Sequence, residues 1–271
     1  MRALFRVCCQ VEVESGDAVD ILFSDLDNTL IYSHNRKLDD EKIVVEHLKG
    51  RELSYMTKRT YNFFINSEWL NWVPVTTRTE VQYMRLKCMD IMHVKYAIVC
   101  NGGKLLVDGI EDAQWTKKTL NMVETQLDDL EVAIRLLKNI CGKTEFHRPD
   151  SYMCYVKVDD PKEICGKLVK IIKSKNIEIQ HDRRKVYLFA GSVNKGNAVR
   201  RFRNRFDVDS TVAAGDGTMD IPMLNEVDYA LVASKIFNSV NASEKKLLEG
   251  HIFSNQICEK LEELHVAGLF R

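Results

Sequence analysis

An apolar run from Val19 to Phe23 ends in Ser24-Asp25-Leu26-Asp27-Asn28-Thr29-Leu30. The run reads as a short buried strand. Two carboxylates at i and i+2 then share one face of the extended chain, with Leu26 turned back into the core. Asn28 is one of the few non-glycine residues that tolerates a left-handed backbone, so the chain turns there. Such a strand delivers two like charges to its carboxyl end, where ligands bind in open α/β sheets. Charges this close need a shared proton or a divalent cation. A solvated turn after a strand has the same spelling, so the rest of the chain decides.

The chain has 271 residues, with Lys+Arg and Asp+Glu both at 39. That length makes one large domain or two moderate ones. Zero net charge gives no global field for nucleic acid or an anionic membrane. No apolar run approaches the roughly 18 residues of a membrane span. The eight cysteines have no zinc-site spacing. With no secretory signal they read as reduced thiols of a cytoplasmic protein.

Residues 3–13 alternate and predict an extra strand or a poorly ordered start. Residues 31–56 are polar with little period, fitting a flap or a surface excursion. Thr57–Asn66 predicts a helix burying Tyr61, Phe64 and Ile65. Trp72–Val75 predicts a strand stopping at Thr76-Thr77-Arg78-Thr79, and a helix follows to about Met89. Tyr96–Cys100 and Lys104–Val107 predict a hairpin around Asn101-Gly102-Gly103. From residue 112 the spacing Leu120, Val123, Leu127, Leu130, Ile134, Leu137 predicts one amphipathic helix to Cys141. Strands at 143–147 and 152–158 flank a turn at Arg148-Pro149-Asp150. A helix starts at Asp160-Pro161, and strands at 177–180 and 185–189 flank a turn at 181–184. Helix, two strands, helix, two strands make an α+β unit of its own.

The first pattern returns after Gly191. Asn194-Lys195-Gly196 opens a helix. Thr211–Ala214 is a strand ending in Gly215-Asp216-Gly217-Thr218-Met219-Asp220, and Tyr229–Val232 another, before a closing helix at 256–267. The expected fold is α/β: a Rossmann-like parallel-sheet core, residues 1–108 and 187–271, with an inserted α+β cap at 109–186. A parallel sheet sets its strand ends along one edge. Asp25 and Asp27, Thr76, Lys195, and Asp216 with Asp220 would then meet in one crevice. Hard carboxylate oxygens suit Mg²⁺, and a lysine and a hydroxyl suit a phosphoryl group.

With these motifs in order, the chain resembles the haloacid dehalogenase superfamily over about its whole length. The motifs are Asp25-Leu26-Asp27-Asn28-Thr29-Leu30, the hydroxyl in Val75-Thr76-Thr77-Arg78, Lys195, and Gly215 to Asp220 followed by Ile-Pro-Met-Leu. The insert is similar to the large cap of the Cof-like, sucrose-phosphatase and mannosyl-phosphoglycerate-phosphatase branch, where Asn101-Gly102 also matches. The resemblance implies a Mg²⁺-dependent phosphomonoester hydrolase acting on a small phosphorylated metabolite of the sugar-phosphate kind. It implies that Asp25 attacks phosphorus, and that Asp27 protonates the leaving oxygen and then activates water. Asp25, the Asp27 carbonyl and Asp216 would hold the metal, and Thr76 and Lys195 the phosphoryl group. Asp220 would support Lys195 or a metal-bound water. Thr77 is the rival of Thr76, Arg78 serves packing or the phosphate, and Asn101, Arg148 and Arg184, with His147 and Arg183 beside them, are candidate cap contacts. Asp27 would need a raised pKa for its acid step. Asn28 and Thr77 stand where many relatives have glycine. A sugar phosphomutase and a non-catalytic module that keeps the pocket are the alternatives.

Overall fold

The computed structural model describes residues 19–270, so the strand expected at 3–13 lies outside the described residues. Strand β1 (Val19–Ser24) is buried from Asp20 onward. The polar stretch after it folds as a small antiparallel sheet of β2 (Tyr32–Ser33), β3 (Lys42–Leu48) and β4 (Arg51–Thr57), in the order β2-β4-β3. Lys49 and Gly50, at φ 50° and 74°, close the β3–β4 hairpin with two left-handed residues, the turn that matches strand twist. The hairpin hides from periodicity because β3 is irregular on either side of Glu46. Such bulges shift side chains between faces, and Glu46 ends 2% exposed.

Helix α1 (Lys58–Asn66) is capped by Thr57, whose hydroxyl accepts from the Thr60 amide. It buries Thr60, Phe63 and Phe64, with Tyr61 and Ile65 only partly covered. Its inward face is therefore turned from the expected one. Strand β5 (Trp72–Pro74) leads to two one-turn helices, α2 (Glu80–Tyr83) and α3 (Cys88–Ile91), in place of one helix to Met89. The break is at Leu86, whose backbone bridges to Glu46 of β3. β6 (Tyr96–Val99), β7 (Lys104–Val107) and β8 (Ile110–Glu111) form the expected hairpin plus one short strand.

The long helix is also two. α4 (Ala113–Val123) and α5 (Leu127–Cys141) meet at a 3-10 turn over Glu124–Gln126. The two halves serve different cores. Trp115 of α4 packs with Phe23, Val73 and Phe202, whereas Leu130, Ile134 and Leu137 of α5 pack on the insert's sheet. One straight axis does not meet both, and Leu120, expected inside, is 41% exposed. That sheet contains β9 (Phe146–Asp150) and β10 (Met153–Lys157). After α6 (Pro161–Ile171) it adds β11 (Ile177–Asp182) and β12 (Lys185–Ala190), in the antiparallel order β11-β12-β10-β9. Arg148-Pro149-Asp150, expected as a turn, is the end of β9. A proline is tolerated there because β9 is an edge strand.

The chain then returns through α7 (Lys195–Arg203), β13 (Val208–Gly215), α8 (Ile221–Leu224), β14 (Tyr229–Ala233), β15 (Glu244–Leu248) and α9 (Phe253–Val266). The central sheet is parallel throughout, in the order β15-β14-β13-β1-β5. β15 shows no apolar pattern because Glu244-Lys245-Lys246 is exposed, as suits an edge strand. Alternation divides the core. Leu22, Trp72, Ala214 and Leu231 face α1 and α9, while Ile21, Phe23, Val73 and Ala213 face α7 and α8. Phe23 meets Phe202 edge to face at 5.5 Å. Burying a side chain of this size is worth roughly 1.5–3 kcal/mol.

The two crossings between core and insert are tied to each other. Gln126 Nε2 donates to Ser192 Oγ at 2.5 Å, and the Ser192 amide donates to Gln126 Oε1 at 3.1 Å. The expected α/β core with an inserted α+β cap is thus what the chain forms. Among the described residues six cysteines are free, and no helix is long and apolar enough to cross a membrane.

Candidate active site

The adjacent parallel strands β1 and β13 bring their carboxyl ends together, and the Asp25 amide donates to the Ala214 carbonyl at 3.0 Å. Asn28 adopts φ 68°, as its side chain allows, and the Leu26 carbonyl accepts the amides of Thr29, Leu30 and Ile31. That turn holds the Thr29 hydroxyl 3.4 Å from Asp25 Oδ2 and 3.3 Å from Asp216 Oδ1. Lys195 is the first residue of α7, set by the Asn194 cap, and is 1% exposed. Its Nζ donates to Asp25 Oδ1 at 2.5 Å and to Asp220 Oδ1 at 2.7 Å. Asp220 Oδ2 accepts the amides of Asp216 and Gly217 at 2.9 and 2.7 Å.

Two glycines permit this closeness. A Cβ on Gly196 would stand 2.5 Å from the Pro222 carbonyl oxygen, so α7 and α8 touch there through backbone. A Cβ on Gly215 would stand 2.5 Å from Asp220 Cβ. The sequence thus folds Asp25 and residues 170 or more positions away into one buried cluster of Asp25, Lys195, Asp216 and Asp220.

Burial pushes the Asp25 carboxyl well above its ordinary range, and Lys195 offsets this only in part. Burial and Asp220 also raise Asp216, against the pull of Lys235, whose Nζ lies 2.6 Å from Asp216 Oδ2. Burial alone would lower Lys195, but Asp220 and Asp25 outweigh it and hold the ammonium charged. Asp25, Asp216 and Asp220 each offer an oxygen, all within 4.8 Å of one another. Clustered carboxylates that burial disfavours are relieved by a divalent cation, and hard oxygens are what Mg²⁺ takes. The Asp27 carboxylate is not in this set and is directed elsewhere.

Arg78 holds Asp27. Its Nε donates to Asp27 Oδ2 at 2.7 Å and its Nη2 to Asp27 Oδ1 at 2.9 Å, a bidentate fork. Burial would raise Asp27, but Arg78 reverses the sign and the carboxyl sits below its ordinary value. The carboxyl expected to be raised is thus lowered instead: burial acts as expected, but the guanidinium outweighs it. Arg78 Nη1 also donates to Glu46 Oε2 at 2.9 Å, where Ser54 donates at 2.7 Å, and Arg85 pairs with Glu46 Oε1.

Burial would raise Glu46, and Arg78, Ser54 and Arg85 together bring it below its ordinary value. A carboxyl depressed by folding contributes stability above its unfolded pKa of about 4.3, and that contribution disappears as pH falls through the folded value. The gap in urea midpoint between the wild type and Glu46→Gln should therefore be full at pH 7 and shrink as the pH drops below about 4. A gap that stayed constant across that range would contradict the pairing.

The other expected residues divide. Thr77 lines both the carboxylate pocket and the neighbouring crevice. Thr76 is fully buried, and its hydroxyl accepts the Arg78 amide at 3.1 Å. Asn101 is also buried and donates to the Val193 carbonyl at 3.0 Å, so it braces the loop before Lys195. Arg148 pairs with Glu131 and lines a separate recess with His147. Arg184 stands at the crevice rim, paired with Asp159, and Arg183 beside it donates to Asn28 Oδ1. Lys235, Glu46 and Arg85 were not expected. Lys235 had a usable signal, since it follows the end of a parallel strand.

Residues 112–242 match the family model of haloacid dehalogenase-like hydrolases, a span that includes Lys195, Asp216 and Asp220. Among solved structures, the chain is similar to the sugar phosphatase BT4131 of haloacid dehalogenase subclass IIB. The identity is 12%, 92% of this chain and 100% of that chain are covered, and the TM-score is 0.62. The sucrose-phosphatase of Synechocystis sp. PCC6803, solved with sucrose and phosphate, gives 12% identity, 92% and 99% coverage and a TM-score of 0.59. SMU.1108c from Streptococcus mutans UA159 gives 11%, 92% and 100%, and 0.60. No curated protein matches the chain. The resemblance carried by the motifs is borne out: the chain has the fold of the haloacid dehalogenase-like hydrolases.

Proposed function

We propose that the protein is a Mg²⁺-dependent phosphomonoester hydrolase that acts through an aspartyl-phosphate on a small phosphorylated metabolite of the sugar-phosphate kind. The observation that carries this reading is the buried Asp25–Lys195–Asp220 chain of contacts with Asp216 beside it. Asp25, Asp216 and the Asp27 backbone would hold the metal, which supplies positive charge against the transferring phosphoryl oxygens. An Asp25 oxygen forms the new bond to phosphorus as the bond to the leaving oxygen breaks. Lys195 stays charged beside it and takes up the negative charge that develops on the phosphoryl oxygens.

Asp27 gives a proton to the leaving oxygen and later takes one from the water that frees phosphate. Held by Arg78, it is in its basic form, the one the second step needs. The first step requires that grip to pass from Asp27 to the incoming anion, so that Asp27 takes up a proton from solvent before it gives one to the leaving oxygen. The lid we propose runs from residue 124 to residue 190, narrower at its start than 109–186, because α4 packs on the core and β12 lies in the insert's sheet. Closure over the crevice would exclude bulk water.

The test is phosphate release from p-nitrophenyl phosphate and a set of sugar phosphates. Release should require Mg²⁺, stop on chelation and return when Mg²⁺ is restored. No release from any of these at saturating Mg²⁺ would overturn the reading.

A further inference from the structure

Between the β3–β4 hairpin and the insert lies a crevice of about 530 Å³ that shares Asp27, Thr77 and Asp182 with the carboxylate pocket. Six cationic and three anionic side chains line it, and most are matched. Arg78 is taken by Asp27 and Glu46, Arg85 by Glu46, and Arg184 by Asp159. Lys157, Lys185 and Arg183 have no carboxylate within ion-pair distance among the described residues, and Asp27 and Asp182 act on Lys185 only from farther off.

The strand register makes this more than a solvated basic rim. Lys157 on β10 and Lys185 on β12 are directly opposite each other, as are Tyr155 and Tyr187 two residues away. All four therefore project from one face of the insert's sheet. Like charges directly opposite on neighbouring strands repel. Lys185 is also half-buried, with its Nζ 5.0 Å from the Tyr155 ring centre and 5.7 Å from that of Tyr187. Burial pushes its ammonium below the ordinary lysine value; Asp27 and Asp182 oppose this, and Lys157 and Arg78 add to it. An anion placed between the two lysines would remove the repulsion and gain charge-assisted hydrogen bonds. The two tyrosine rings, 5.6 Å apart, offer a carbon skeleton an aromatic surface on the way to Asp25.

Resting on the phosphomonoesterase reading, we propose that the leaving group of the physiological substrate carries a second anionic group, a carboxylate or a phosphate, bound between Lys157 and Lys185 beside Arg183. Matched pairs test it: fructose 1,6-bisphosphate against fructose 6-phosphate for phosphate, and 3-phosphoglycerate against glycerol 3-phosphate for carboxylate. Binding is measured by calorimetry on Asp25→Asn protein with Mg²⁺, and kcat/KM on the wild-type enzyme. In at least one pair the doubly anionic member should bind tenfold or more tightly and show a matching kcat/KM preference. The pair that responds identifies the anion. Lys157→Gln with Lys185→Gln should bring the preference to within about twofold, whereas Lys185→Arg should keep it. Equal binding within both pairs, or a preference that survives the double substitution, overturns the inference. Binding preference without turnover of any substrate counts against the phosphatase reading alone, and turnover without preference counts against the second-anion site alone.

Discussion

Asp25→Asn is expected to reduce phosphate release by at least about 10³-fold, the scale seen when a nucleophile is removed from a working set. An amide has no anionic oxygen to form the bond to phosphorus. The substitution keeps size and shape in a site where Asp25 is 7% exposed. Lys195 keeps its second partner, Asp220, at 2.7 Å. The loss should therefore come without a loss of fold. Circular dichroism should be unchanged, and the melting temperature should not fall, because the carboxylate removed is one that burial disfavours. A rate within tenfold of wild type would remove Asp25 from the chemistry. A collapse in melting temperature would mean that the buried contacts of Asp25 are needed for folding itself.

The second large effect is on stability. Arg78→Leu should cost about 3–5 kcal/mol in urea denaturation, the range for breaking a buried ion pair by removing one partner. Arg78 is 8% exposed and forks onto Asp27 while also serving Glu46, at 2% exposure. Without it both carboxylates lose their closest positive charge, and Glu46 keeps only Arg85 and Ser54. Adding Glu46→Gln to Arg78→Leu should recover part of the loss, since the charge then leaves with its partner, and the two changes should be clearly non-additive. A cost below about 1 kcal/mol would mean that water already screens this network.

Asp25 and Asp216 were legible in the sequence because a short apolar strand must end, and in a parallel sheet its end is a shared edge. Lys195 and Asp220 were legible from local spelling instead, the first behind the Asn194 cap of a helix and the second in the turn that follows Asp216. Lys235 obeys the strand-end rule after β14, and it escaped only because no motif marks it. Glu46 was not legible. Its position depends on irregular pairing around it, which destroys the alternation from which an inward face is read. The α4–α5 break is invisible for a related reason. Apolar spacing reports that a helix has a buried side but not how many bodies it is buried against. Arg148 and Asn101 show the limit for single residues. Proximity to a turn placed Arg148 near the site in sequence, while Glu131 holds it over a separate recess; Asn101 is close to the site, but its amide is engaged by the Val193 carbonyl.

The Gln126–Ser192 tie has a mechanical consequence. Two separate connectors ordinarily let an inserted body twist, slide and tilt. Here both ends of one amide side chain bond Ser192 in the turn after β12, so the outgoing and incoming chain are joined as a single stem. Relative sliding of the two connectors would tear two hydrogen bonds, whereas tilting about the stem would release contacts at the far rim, Arg183 to Asn28 and Thr218 to Gln180. If the crevice widens and narrows, the stem would be the pivot, and Lys157 and Lys185, on the insert's sheet, would move together relative to Asp27.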